Sequence, residues 1–352
     1  MRIVAVLRCG ALLGVLLLTA CGGSLDTPTA VPATSGATPP AASKPLTKIV
    51  VAMGYIPNVQ FAPYYVAEDK GYYAAEGLQV EFKYGQVNDL LKVVAQGDID
   101  FANVSGDEMV PAVAQGIPVR YIMTQYYHYP IAAVAISGQG APLTKPADLK
   151  GRKIGIPGPY GSNYIGLKAL LKVAGLQESD IQEQSIGYTQ VPALLNKQVD
   201  VAMVYSMNEP VQIQSAGKTV QILQVADSFD LAAVGVATGE KKIKDNPDQI
   251  RAFLRATLKG TDDTLKNPDA AFTSSMARTP EIQGKTAEMA LQRAVLTATL
   301  PFMTPPAGRA PGSSDAETWK RTEEFLRSIG QSKQPIDPAT LYTNEFLNPA
   351  PQ

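Results

Sequence analysis

Of fifteen tyrosines in the 352-residue chain, Tyr342 alone lies outside the stretch from Tyr55 to Tyr205. Phenol rings hold flat aromatic molecules by offset stacking, worth about 0.5–1.5 kcal/mol per pair beyond the area buried. Tyr55, Tyr126, Tyr127, Tyr160 and Tyr205 stand at expected strand ends or crossings, where ligand contact and packing are equally good readings. Tyr72, Tyr73 and Tyr84 read as packing at a helix end and along a strand. Polar groups are interleaved with the rings. Asn58, after Pro57, offers donor and acceptor to a heterocycle edge, or bonds its own backbone in a turn. In Ser105-Gly-Asp-Glu108, helix capping is the simpler account, and Asp107 or Glu108 accepting from a ligand N–H or hydroxyl is the other. Gly158-Pro-Tyr-Gly-Ser-Asn163 places Ser162 and Asn163 at a helix start, where backbone N–H groups bind anions readily and Gly161 permits close approach of a ligand; the other reading of such a glycine-rich loop is a plain turn. Asn208 and Glu209 bond polar ligand groups, or Glu209 complements a helix dipole.

Other chemistries lack their parts. The two cysteines are Cys9 and Cys21, and the sole histidine is His128. A His-based metal site or a Ser-His-Asp triad has no partners to assemble, so His128 reads as packed or surface-exposed. With a net charge of -1 and no arginine-rich stripe, the chain has no electrostatic footprint for nucleic acid. Arg120, Arg152 and Lys153 read as strand-start and surface charges, which ranks an anion site behind an aromatic one.

The N-terminus reads as a secretory signal over residues 1–20: Arg2 and Arg8, an apolar run from Ala11 to Leu18, then Thr19 and Ala20. That run is shorter than the roughly 18–20 apolar residues of a membrane span. Leu18-Thr19-Ala20-Cys21 resembles a bacterial lipobox, so Cys21 is the expected lipid anchor and the mature body carries no thiol. Residues 21–45, rich in Pro, Thr and Ala, read as a disordered tether.

The elements that must position the polar and aromatic groups follow a βα rhythm from Lys48 onward. Expected are strands at 48–53, 79–84, 99–104 and 119–124, a helix over 62–76, another capped by Asn88, and a third over 107–115. Such alternation implies parallel sheets covered on both faces. The rhythm restarts after Tyr129-Pro130 with strands at 131–136, 153–156, near Ser185 and 201–204, and helices over 162–174 and 191–197. Val220–Val225 and Leu231–Thr238 read as strands returning to the first lobe, and 248–266, 285–299 and 315–329 as helices that wrap it. The organisation is therefore lobe 1 over 46–130, lobe 2 over 131–228, and a return with helical extension over 229–346. Ligands in open α/β sheets bind beyond the carboxyl ends of strands, which puts the site between the lobes, with hinge closure as the motion.

Tyr55-Ile-Pro-Asn58, Tyr64-Tyr-Val-Ala67, Lys70-Gly-Tyr-Tyr73, Gly97-Asp-Ile-Asp-Phe101, Ala114-Gln-Gly-Ile-Pro118, Asp148-Leu-Lys-Gly-Arg-Lys153 and Asn208-Glu-Pro210 occur in one order. Together they resemble the NMT1/THI5-like periplasmic substrate-binding proteins, over roughly Lys48 to Phe272. The resemblance implies a type II periplasmic-binding fold of two α/β lobes around a ligand cleft, and delivery of a small solute to an ABC permease with its ATPase. Members bind riboflavin, thiamine-pyrimidine precursors, sulfonates or nitrate. The Tyr55–Ala67 segment and the leader look most like the riboflavin-binding branch, so the expected cargo is riboflavin, a transported ligand and not a cofactor. A formylaminopyrimidine-type precursor is the alternative, with sulfonate or nitrate third. An enzymatic branch that makes the thiamine pyrimidine uses a cysteine-rich motif and an active-site histidine, which this sequence lacks. A purely structural lipoprotein is the remaining class. The expectation is a lipid-anchored, monomeric, non-enzymatic protein on the extracytoplasmic membrane face.

Overall fold

The computed structural model describes residues 45–85 and 90–347. The leader, Cys21, the tether up to Lys44, and Asn88 lie outside them. In the first lobe β1 (Thr47–Ala52), β2 (Leu78–Lys83), β3 (Phe101–Ser105) and β4 (Val119–Thr124) alternate with α1 (Ala62–Asp69), α2 (Tyr72–Ala75), α3 (Leu90–Gln96) and α4 (Gly106–Ala114). The second lobe holds β5 (Ile131–Ile136), β6 (Lys153–Ile156), α5 (Gly161–Ala174), β7 (Gln182–Ser185), α6 (Gln190–Leu195), β8 (Val201–Tyr205), α7 (Glu209–Ser215) and β9 (Val220–Gln224). The chain then returns through β10 (Val234–Gly239) and ends in α8 (Glu240–Asp245), α9 (Pro247–Lys266), α10 (Pro268–Met276), α11 (Thr286–Met303) and α12 (Ala316–Ser328).

The two sheets share one plan, with strand orders β2-β1-β3-β10-β4 and β7-β6-β8-β5-β9. Neither is wholly parallel, although the alternation implied that both would be. β10 runs antiparallel to β3 and β4, and β5 runs antiparallel to β8 and β9. Both are strands by which the chain enters a lobe from the other one. A strand that starts at the cleft must run opposite to strands that end there. Val220–Gln224 stays in the second sheet beside β5, so β10 alone makes the return. The expected helix over 62–76 is broken because Gly71 takes φ 69°, the left-handed region that ends α1 before α2 begins.

Burial follows pattern. β5, Ile-Ala-Ala-Val-Ala-Ile, is buried at every position and sits inside its sheet. On the first lobe, Phe253 of α9 stacks between Tyr73 and Phe101, with ring centroids at 5.6 and 4.1 Å. At Gly260 the same helix meets α1: a Cβ there would stand 2.2 Å from the carbonyl oxygen of Pro63. The C-terminal helices do more than wrap the first lobe. Leu296 of α11 belongs to an apolar cluster with Val59, against which Val211 of α7 packs. Lys172 of α5 bonds Ser328 of α12 at 2.7 Å. Trp319 of α12 stacks on Tyr342 at 5.4 Å. Among the described residues no helix is long and apolar enough to cross a membrane.

Candidate ligand-binding cleft

The loops beyond the strand ends of both sheets enclose a cavity of about 490 Å³. Tyr55, Tyr126, Tyr160, Ser162, Asn163, Tyr205, Asn208 and Glu209 line it, as sequence reasoning expected of ligand-contacting groups. Asn58, Asp107 and Tyr127 do not. Asn58 caps the turn Val59–Phe61, its Oδ1 accepting from the Gln60 N–H at 3.0 Å, which is the backbone-turn reading. The Tyr127 hydroxyl accepts from the Gly312 N–H at 2.6 Å, and its own N–H reaches the Phe302 carbonyl, so it serves the C-terminal segment. Asp107 is fully buried behind the cleft wall, where it accepts from the Tyr129 hydroxyl and from Ser162 Oγ.

Helix starts converge on the cavity. Glu108 in the first turn of α4 accepts from the Ser105 N–H at 3.0 Å, half of a capping box. Glu209 opens α7 and accepts from the Tyr205 N–H at 3.0 Å and from Asn208 Nδ2 at 3.2 Å. Burial pushes the Glu209 carboxyl up to about 7 against these bonds. Burial, reinforced by the neighbouring Asp107, does the same for Glu108, again to about 7. Burial raises Asp107 as well, opposed by its hydrogen bonds from Tyr129 and Ser162. The cleft is thus aromatic and acid-lined, and Lys92 is the one cation among its described lining residues.

The structure adds groups that the sequence did not single out. Asn103, mid-strand in β3, lines the cavity and donates to Gln125 Oε1 at 2.6 Å. Gln125 also accepts from the Tyr64 hydroxyl at 2.8 Å, forming a buried network under the first-lobe wall. Tyr188 and Gln190 come from the loop after β7 and the start of α6. The strand-end rule applied to Ser185 would have found Tyr188. Asn103 had no such signal, since a polar residue inside a strand reads first as facing solvent. Among the described lining atoms, Ser105 Oγ and Asn163 Oδ1 are buried with no hydrogen-bond partner, in residues 4% and 7% exposed.

Comparisons with known proteins agree with this geometry. Residues 58–271 match the family described as NMT1/THI5 like. The chain is 45% identical over 350 residues to the riboflavin-binding protein RibY of Chloroflexus aurantiacus, covering 97% of each. It is 24% identical over 297 residues to a formylaminopyrimidine-binding protein of Halalkalibacterium halodurans, covering 83% of this chain and 88% of that one. The solved periplasmic aliphatic sulphonate binding protein SsuA of Escherichia coli aligns with a TM-score of 0.65 at 14% identity, over 83% of this chain and 91% of its own; at that identity the likeness is one of fold. The two mixed sheets facing a common cleft are the periplasmic-binding fold, and the chain belongs to the NMT1/THI5-like family.

Proposed function

We propose that this chain is the solute-binding lipoprotein of an ABC importer, held by lipid on Cys21 at the extracytoplasmic membrane face, and that it captures riboflavin and hands it to a membrane permease served by a separate ATPase. The observation that carries the reading is the aromatic, acid-lined cleft in a chain 45% identical to a riboflavin-binding protein along almost its whole length. A cavity of about 490 Å³ lies within the range of sites that enclose a drug-sized molecule, roughly 300–1,000 Å³. A nitrate ion would leave most of it empty.

Charge argues in the same direction. Glu108 and Glu209 face the cavity, whereas Arg120, Arg152 and Lys153, the cations considered for an anion site, do not line it. Arg120 pairs with Glu240 at 2.7 Å, and Arg152 donates to the carbonyls of Ala141 and Pro142. Binding, not catalysis, suits the residues present. His128 is more than half exposed at the crossing, 3.2 Å from Asp230, and does not line the cavity.

The test is thermal denaturation of the full chain in mild detergent with and without riboflavin, with quenching of flavin fluorescence as the independent reading. Free ligand at one hundred times Kd adds about 2.7 kcal/mol of stability. A rise in Tm with quenching is the expected outcome. Neither effect rejects riboflavin and turns the same assay to a formylaminopyrimidine-type precursor.

A further inference from the structure

Several polar groups that line the cleft already have protein partners. Ser162 Oγ donates to Asp107. Glu108 takes the Ser105 N–H, and Glu209 takes the Tyr205 N–H and the Asn208 amide. Asn208 Oδ1 accepts from Gln212 Nε2 at 3.1 Å. Ser105 Oγ and Asn163 Oδ1 are left without partners, although both atoms are buried and both residues line the cavity; a hydroxyl turns to donate or accept, whereas the amide oxygen sets one requirement. A buried acceptor with no partner is unfavourable, and native structures rarely keep one without a use. Oδ1 is an acceptor only, so what completes it is an N–H or O–H.

Depth selects between the two ends of the ligand. Asn163 is 7% exposed, whereas Tyr160 and Tyr188, which line the same cavity, are 56% and 52% exposed and mark its mouth. A flat ring buries its apolar area best when it enters first, past those tyrosines, while a polyhydroxyl chain loses least when left near water at the mouth. Of the ring's edges only the imide carries an N–H, so that is the edge able to complete the unpaired oxygen. Building on the riboflavin reading, we propose that Asn163 is a specificity-determining residue whose Oδ1 accepts the imide N–H of the isoalloxazine ring.

The test compares riboflavin with its N3-methyl derivative, which lacks that N–H, by fluorescence titration of the full chain in detergent. Wild type is expected to bind the methylated compound about ten-fold or more weakly, as for loss of a hydrogen bond to a buried group. Asn163→Ala is expected to weaken riboflavin binding by a similar factor and to reduce the methylation penalty to less than about two-fold, the mark of a direct contact in a double cycle. Asn163→Asp, which keeps an acceptor, is expected to keep the penalty. An unchanged penalty in Asn163→Ala overturns the assignment while leaving riboflavin capture in place. Should that variant fail to fold, a wild type that binds both compounds equally overturns it. A wild type that binds neither removes the riboflavin reading and this assignment together.

Discussion

Ser162 Oγ donates to Asp107 Oδ1 at 3.0 Å, joining the first turn of α5 in one lobe to the first turn of α4 in the other. The Tyr129 hydroxyl, from the crossing between the lobes, bonds the second oxygen of the same carboxylate and lies 2.9 Å from the Ser162 carbonyl. One buried carboxylate therefore pins both lobes and the hinge segment. Asp107, at a cleft-facing helix start, thus spends its carboxylate on joining the lobes and does not line the cavity.

Asp107→Ala leaves Ser162 Oγ without its acceptor and the Tyr129 hydroxyl with the Ser162 carbonyl alone. Each such loss costs about 1–3 kcal/mol, and a domain of this size loses roughly 2–4 °C of Tm per kcal/mol. The expected result is a clear fall in Tm for Asp107→Ala and a smaller one for Ser162→Ala, with faster ligand release in both because the closed form loses its tie. Thermal denaturation and stopped-flow release would check this; unchanged values in both variants would show that the contact holds nothing.

Glu209 sets a pH dependence whose sign can be worked out. Its folded carboxyl titrates at about 7, against an ordinary 4.5, because burial disfavours the charge. Between those values the folded chain keeps a proton that the unfolded chain has lost, so stability falls as pH rises through that window and is greatest below it. Glu209→Gln has no such proton to release. The expected outcome is a flatter decline of Tm across the window from 4.5 to about 7 in the variant than in wild type. Parallel Tm curves would contradict the buried, protonated carboxyl.

The architecture and much of the cleft were legible because both rest on local rules. Alternating apolar runs gave the strands, and the strand-end rule placed Tyr160, Ser162, Asn163 and Glu209 on one cavity. What was not legible depends on contacts distant in sequence. Nothing near Tyr127 announces that Gly312, 185 residues away, will occupy its hydroxyl. The antiparallel direction of β5 and β10 follows from how the chain passes between lobes, which periodicity does not encode. Asn58 illustrates a third limit: a residue type suited to two roles is assigned by its geometry, here a cap on Gln60.

Gln125 holds the first-lobe wall from behind. It is 3% exposed, and its Oε1 accepts from both Tyr64 and Asn103. Gln125→Leu keeps the volume but leaves the Tyr64 hydroxyl without its acceptor, a loss of about 1–3 kcal/mol, while Asn103 Nδ2 keeps its bond to the Tyr64 hydroxyl at 3.0 Å. Lower Tm and weaker ligand binding are expected together, because Asn103 lines the cavity and loses the shorter of the two bonds that orient it. A variant with reduced Tm and unaltered affinity would mean that Asn103 does not meet the ligand.

Tyr160 offers the cleanest separation of binding from stability. Its ring lies over Gly158, where an added Cβ would stand 2.4 Å from Cε1 of the ring. More than half of the tyrosine is exposed, so the ring is free to swing away and relieve the clash at little cost to the fold. In Gly158→Ala the ring is displaced from the mouth and its stacking on the ligand is lost, which at about 0.5–1.5 kcal/mol corresponds to roughly a two- to twelve-fold rise in Kd. Tm without ligand should barely move. Tyr160→Ala is expected to give a similar loss, and the double variant no more than either alone, since both act through one ring. Additive losses would instead place Gly158 itself against the ligand, with the glycine chosen for backbone approach and not for the tyrosine it accommodates.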